Sequence, residues 1–294
     1  MGSIYIKISR TYMKKLVILA NCQGGSVAFM LQKYYSDLYD VKCISNYEYI
    51  QKKLDLPDDI KDADIFLYQN YSNTDEKYNL KNILDHKLKK ECIKLSFPTL
   101  HSCHLIFCYD INAPTNYKTI TTENPHREFF YEISPIIHIT NKSNTIHEII
   151  ESSKEDNFIS EETILYHYNR TFEFLENKCL SSDIPEIYEF IKNNFTEIRL
   201  WHNPNHPTGI LLNELIKLIF SKLELDYIEN EENINILNNM LSDWVMPIFP
   251  CVSNYYNFKF DIKCSSWYHK NIVDYDTYLE TYIEHLYNKT IFYE

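Results

Sequence analysis

Glycine is nearly missing from this 294-residue chain, which has only Gly2, Gly24, Gly25 and Gly209. The abundance of Asn, Ile, Lys and Tyr suggests an AT-rich genome in which glycine codons are disfavoured. Glycines kept against that bias are expected where backbone geometry demands them. Positive charge is also short: 29 Lys and Arg against 41 Asp and Glu give a net charge of −12. A chain this acidic is poorly suited to gripping nucleic acid or an anionic membrane as its main activity. No apolar run reaches the about 18–20 residues of a membrane span. None of the eight cysteines forms a CxxC pair, and the chain is too large for a disulfide mini-scaffold. There is no Walker A, GxGxxG, HExxH or GxSxG pattern, which leaves the common nucleotide, zinc-protease and esterase signatures unrepresented.

Two N-terminal patterns imitate targeting signals. Lys14 to Cys22 resembles a lipoprotein signal, but its apolar core Leu16–Ala20 is too short and Asn21 stands where a small residue belongs. Met1-Gly2-Ser3 resembles a myristoylation start, but Ile6 stands where Ser or Thr is preferred. The expectation is a cytoplasmic protein, or one of the host cytoplasm if the gene is viral.

Apolar residues make up 45% of the chain, enough for a sizeable core. Short β-branched runs at 15–20, 40–44, 63–68 and 92–95 read as buried strands, with helices expected over 25–35 and 81–90. Strands alternating with helices predict an open, mostly parallel α/β sheet with flanking helices. Residues 145–194 read as a helical insertion, 198–201 as a last strand, and 210–223 as an apolar helix. The expected organisation is a single composite domain over 1–294, with its α/β core at 15–223 and a C-terminal extension at 224–294.

Three motifs could carry chemistry. In Asn21-Cys22-Gln23-Gly24-Gly25-Ser26 a strand stops, two glycines allow a tight turn, and a helix begins. A cysteine there lies at a helix N-terminus, where backbone N–H groups favour thiolate and can form an oxyanion hole or hold a phosphate. It can equally be a buried strand-end residue beside turn-forming glycines. In His202-Asn203-Pro204-Asn205-His206-Pro207-Thr208-Gly209 two prolines stiffen a segment that precedes a helix and hold Asn203 and His206 extended. A histidine so placed can act as general base, with His206 first and His202 second. The alternatives are a capping segment with Thr208 as N-cap, or a zinc site that the prolines disfavour. Ser96 in Ser96-Phe97-Pro98 ends a strand, where it could bind substrate or initiate a turn. His126 is a further titratable candidate.

These motifs, in this order, resemble the WcbI-type polysaccharide biosynthesis family, to which an acetyltransferase activity is ascribed. The resemblance covers roughly residues 15–223. It implies a coenzyme A-binding, SGNH-hydrolase-like fold that uses acetyl-CoA as co-substrate and acetylates a sugar during glycan biosynthesis. By the same resemblance, Cys22 matches the nucleophile position and His206 the base. Asn21, Gln23, Gly24, Gly25, Ser26 and Ser96 would face the coenzyme. Asn203 stands three residues before His206 where the SGNH pattern has Asp; an amide can orient an imidazole but cannot stabilise its charge. A glycan deacetylase and a non-catalytic coenzyme A- or glycan-binding module are the competing expectations. The expected partners are an acetyl donor and a sugar acceptor, with no nucleic acid, no membrane span and no bound metal. A homo-oligomer is left open.

Overall fold

The structure, a computed structural model, describes residues 13–102, 134–140, 144–262, 264–265 and 272–290. The chain divides into two compact units. The first holds residues 1–99 together with Ser181–Asp183, and the second holds Leu100–Leu180 and Ile184–Glu294.

The first unit is built on β1 (Lys14–Ala20), whose last five residues are all buried. Alternate side chains of a strand point to opposite faces, so a run buried throughout needs cover on both sides. Beta1 is accordingly central: it pairs in parallel with β2 (Tyr39–Ser45) and with β3 (Ile65–Gln69), and β3 pairs in parallel with β4 (Ile93–Phe97). The order is β2-β1-β3-β4. Val17 and Leu19 pack on Ile44, Phe66 and Ile83 in one apolar cluster. The expected α/β class and all four strands of the sheet are therefore present.

Helix α1 (Cys22–Tyr35) follows β1 directly. It starts three residues earlier than the glycines suggested, because the Asn21 side chain caps it by accepting from the Gln23 N–H. Gly24 and Gly25 thus lie inside the helix and form no turn, and neither has a positive φ. Gly24 is needed for closeness instead: a Cβ there would stand 2.6 Å from the Cβ of Ala20. At Gly25 a Cβ would meet nothing within 4 Å. A short helix α2 (Asn46–Gln51) follows β2. The helix expected over 81–90 is one irregular piece, a turn of α3 (Leu80–Asn82) running into a π turn at Ile83–Lys87.

The second unit is mainly helical: α4 (Ser134–Thr140), α5 (Ile146–Ser153), α6 (Glu161–Leu180), α7 (Ile187–Asn194), α8 (Gly209–Lys222), α9 (Glu231–Met240), α10 (Pro250–Tyr256) and α11 (Tyr275–Thr290). No described helix is long and apolar enough to cross a membrane. The strand expected over 198–201 is a correction. The extended segment is β5 (Trp201–Asn203), which pairs in antiparallel fashion with β6 (His206–Pro207) and adds nothing to the parallel sheet. Another two-stranded ribbon joins β7 (Cys264–Ser265) to β8 (Ile272–Val273). Helix α8 is the apolar centre, with Leu211, Leu215, Ile216 and Ile219 fully buried. Gly209 lets α8 press against α9: a Cβ there would stand 2.1 Å from the Ile234 carbonyl oxygen and 2.6 Å from the Asn238 nitrogen.

The glycines make opposite predictions. Gly209→Ala must move backbone, and it should lower stability by about 2–4 kcal/mol, in the range of disruptive overpacking. Gly25→Ala meets open space in a helix and should raise stability by roughly 0.5–1 kcal/mol. Chemical denaturation of the two variants checks both signs.

Candidate functional site

In an open parallel sheet, ligands collect beyond the carboxyl ends of the strands, where neighbouring connections leave in opposite directions. The order β2-β1-β3-β4 puts that point between β1 and β3, since the chain goes from β1 to one side and returns to the other. Asn21-Cys22-Gln23 leaves the end of β1, and Gln69-Asn70 leaves the end of β3.

The side chains at this point form one hydrogen-bonded group. Gln69 Oε1 accepts from the Asn21 N–H at 2.9 Å. Gln69 Nε2 donates to Gln23 Oε1 at 3.1 Å and to the Pro98 carbonyl at 3.3 Å. Gln23 and Gln69 are buried, so these amides set the floor of the site and do not face a ligand. Ser26 lies on the same helix and is fully buried, with its hydroxyl unpartnered. Asn21, Cys22 and Gly25 are the half-buried positions of the motif.

Cys22 corrects an expectation. The N–H groups of Cys22 and Gln23 do act on its sulfur in the direction that favours thiolate, as a helix N-terminus should. Burial outweighs them and pushes the thiol up to about 11. At neutral pH the resting form is therefore the thiol.

Ser96 is buried in β4, opposite Tyr68. Its hydroxyl was expected to contact a ligand, but it is taken up within the protein. It donates to Asp183 Oδ2 at 2.8 Å and accepts from the Asp183 N–H at 3.0 Å. The Ser96 N–H also donates to Asp183 Oδ2, at 2.7 Å. Asn70 Nδ2 holds the same segment through the Ser181 carbonyl at 2.7 Å. Sequence reasoning places Gln69-Asn70 at a polar strand tip without giving it a role, and it missed Asp183. The signal for Gln69 was a polar residue closing an apolar strand; Asp183 had none.

In the second unit, His202 and His206 lie on the β5–β6 hairpin, with Pro204-Asn205 at its turn. Ser102 N–H donates to the Pro204 carbonyl, and Asn203 Oδ1 accepts from the Asn205 N–H, so the turn is stiff as expected. Asn203 is wholly buried, and its Nδ2 donates to the Trp244 carbonyl at 2.9 Å. Both ends of that amide are therefore occupied away from His206, and the idea that Asn203 orients the imidazole is corrected. Thr208 does precede α8, yet its hydroxyl donates to the Arg199 carbonyl and makes no capping bond. His206 is half-buried, with an unpartnered Nδ1. Burial lowers its basicity, while the Leu241 backbone and the Asp243 charge act the other way. His202 is 6% exposed with an unpartnered Nε2; burial first, then the Arg199 and His206 charges, brings it down to about 4. His126 lies outside the described residues. Among the described residues no group of three or more His, Cys, Asp or Glu could hold a metal ion.

The family model for "Polysaccharide biosynthesis enzyme WcbI" matches residues 15–227. The chain belongs to the WcbI family of polysaccharide biosynthesis enzymes. That match spans the Cys22 joint, the Ser96 strand and the His206 hairpin. Among solved structures, a WcbI described as a novel polysaccharide biosynthesis enzyme superimposes with a TM-score of 0.66 at 19% identity, covering 93% of this chain and 89% of that one. It is described as the native protein without a disulfide bond between coenzyme A and one of its cysteines. At this identity the likeness establishes a shared WcbI fold. No curated protein matches the chain in sequence.

Two measurements follow from the ionisations. Alkylation of Cys22, followed by peptide mass spectrometry, should quicken by about tenfold per unit from about pH 7 to about pH 10 without a plateau. His202 is neutral in the fold down to about pH 4, whereas an unfolded histidine takes a proton near its ordinary 6.5. Its contribution is therefore fully present above 6.5 and is lost as pH falls through the window from 6.5 to about 4. The loss should approach roughly 3 kcal/mol and be smaller in His202→Asn, as read by denaturation at several pH values.

Proposed function

We propose that this WcbI-family enzyme transfers an acetyl group from acetyl-CoA to a sugar. The observation that carries the reading is the half-buried Cys22 at the helix start, at the switch point of the sheet, with open space at Gly25 close by in sequence. The WcbI structure of similar fold, described with reference to coenzyme A and one of its cysteines, supports coenzyme A as the donor. The parallel sheet and the strand–helix joint after β1 also support an SGNH-hydrolase-like reading of the fold. The proposed place of action is the cytoplasm.

Cys22 then lines the donor's thioester and does not attack it unaided, because burial keeps its sulfur protonated. His206 is the acceptor's base. Its lowered basicity leaves the imidazole neutral and able to take a proton at physiological pH. The acceptor hydroxyl or amine attacks the thioester carbonyl and gives up its proton to a base. The coenzyme A sulfur departs and recovers that proton. The N–H groups that open α1 are the proposed donors to the oxyanion.

The test compares the wild type with Cys22→Ala, Cys22→Ser and His206→Ala. Coenzyme A at about 100 times its dissociation constant should raise apparent stability by about 2.7 kcal/mol. Acetyl-CoA consumption should need a sugar acceptor. His206→Ala should lose about 100-fold or more in turnover while keeping coenzyme A binding. Cys22→Ala should lose less than His206→Ala if sulfur only lines the donor. The acid limb of the wild-type rate profile should fall below 6.5, the ordinary histidine value. Acetate release from an acetylated glycan without coenzyme A would instead identify a deacetylase.

A further inference from the structure

We propose that the amino edge of the parallel sheet carries a second binding site, and that its ligand class is a nucleoside diphosphate. This does not rest on the transferase reading above. A cavity of about 520 Å³ is lined by the connection from α2 to β3, by Lys77 and by the stretch from the π turn toward β4. The first and last of these segments lead into the starts of strands, so the cavity lies at the edge of the sheet opposite to Cys22. Its volume is that of an ordinary small-molecule pocket.

The charge of the cavity runs against that of the chain. The whole protein carries −12, yet four lysines and two aspartates line this one concavity. Lys77, Lys87 and Lys89 are half-buried and are steadied by backbone carbonyls. Lys77 Nζ donates to the Lys53 carbonyl at 3.3 Å, Lys87 Nζ to the Lys77 carbonyl at 3.0 Å, and Lys89 Nζ to the Asp62 carbonyl at 3.2 Å. Lys89 also pairs with Asp64. The two lining aspartates reach outward: Asp55, paired with Lys77, and Asp58, paired with Lys61, have side chains 97% and 88% exposed. Ion pairs so exposed contribute little, and a phosphate can take the place of their carboxylates. Lys87 closes the π turn Ile83–Lys87. Such turns depart from the α register and are frequent at functional sites.

The rest of the lining is apolar, from Leu56, Pro57, Ile60 and Leu88. Ile60 belongs to the core cluster, and Leu56 and Leu88 pack against it. A cationic side and an apolar side in one cavity select a molecule with two matching ends. Ammonium groups gathered around one space repel each other, and a diphosphate relieves that repulsion while accepting charge-assisted hydrogen bonds. A flat base covers the apolar side. Free phosphate would use the lysines alone, and an uncharged nucleoside the apolar side alone.

The test is calorimetric titration of the full chain with ADP, UDP, pyrophosphate, adenosine and uridine at about 0.15 M salt. The tighter of the two diphosphates should bind about tenfold or more better than pyrophosphate, and about tenfold or more better than its own nucleoside. Lys77→Gln and Lys87→Gln should each weaken it by about tenfold. Lys61→Gln loses one exposed pair, so it should melt as the wild type does and weaken binding by about threefold. Lys52→Gln, an exposed lysine outside the cavity, should bind as the wild type. Reductive methylation of the wild type, read lysine by lysine by mass spectrometry, should show Lys61, Lys77 and Lys87 protected by the diphosphate and Lys52 not. That readout needs no variant to fold. Absence of binding overturns the proposal, as does pyrophosphate or a nucleoside binding as tightly as the diphosphates. Binding that leaves the cavity lysines unprotected, or that survives both Lys77→Gln and Lys87→Gln, overturns it as well.

Discussion

A buried carboxamide has two hydrogens to donate and an oxygen that must accept, and Gln69 meets that demand by joining three strand ends. Its oxygen takes the N–H that follows β1, and its nitrogen reaches the Gln23 side chain at the start of α1 and the carbonyl that follows β4. A buried polar group left without a partner costs about 1–3 kcal/mol, so the three ends are held in one arrangement. Asn21 is thereby fixed from one side by Gln69 and from the other by capping α1. The backbone that carries Cys22 is set by these bonds.

The same economy explains why the site is chemically quiet at rest. The N–H groups that would stabilise a thiolate are present, but the sulfur is largely removed from water. Closeness and ionisation pull in opposite directions here, and burial is the larger effect. The hairpin histidines follow the same physics with the opposite sign: burial keeps a base neutral, which is the form that can take a proton.

Much of the sheet was legible because parallel strands buried on both faces leave short β-branched apolar runs. Leu16–Ala20 and Ile65–Tyr68 are of this kind, and both were located within two residues. The glycines misled in part. Scarcity pointed correctly to Gly24 and Gly209, but the reason is close approach of neighbouring elements and not turn formation. Asn21 as a helix cap was readable in principle, since its type favours that position, and it explains the early start of α1. The strand expected at 198–201 failed because an apolar run does not reveal its pairing partner; β5 pairs with the residues just after it. Ser96 was noticed for its place at a strand end. Its partner lies 87 residues away, and no local pattern announces a contact over that distance.

The Ser96–Asp183 bond has a consequence for biogenesis. A ribosome that has finished β4 has not yet made the residue that secures the end of that strand, and residues 100–180, translated in between, belong to the other unit. The nascent sheet must therefore wait, with its carboxyl edge unlatched, while α6 is synthesised. Closing so long a loop adds little entropy beyond that of a shorter one, so the delay is one of timing, not of thermodynamics. Maturation of this edge is coupled to elongation past codon 183, and a truncated chain ending in α6 would carry the strands without their clasp.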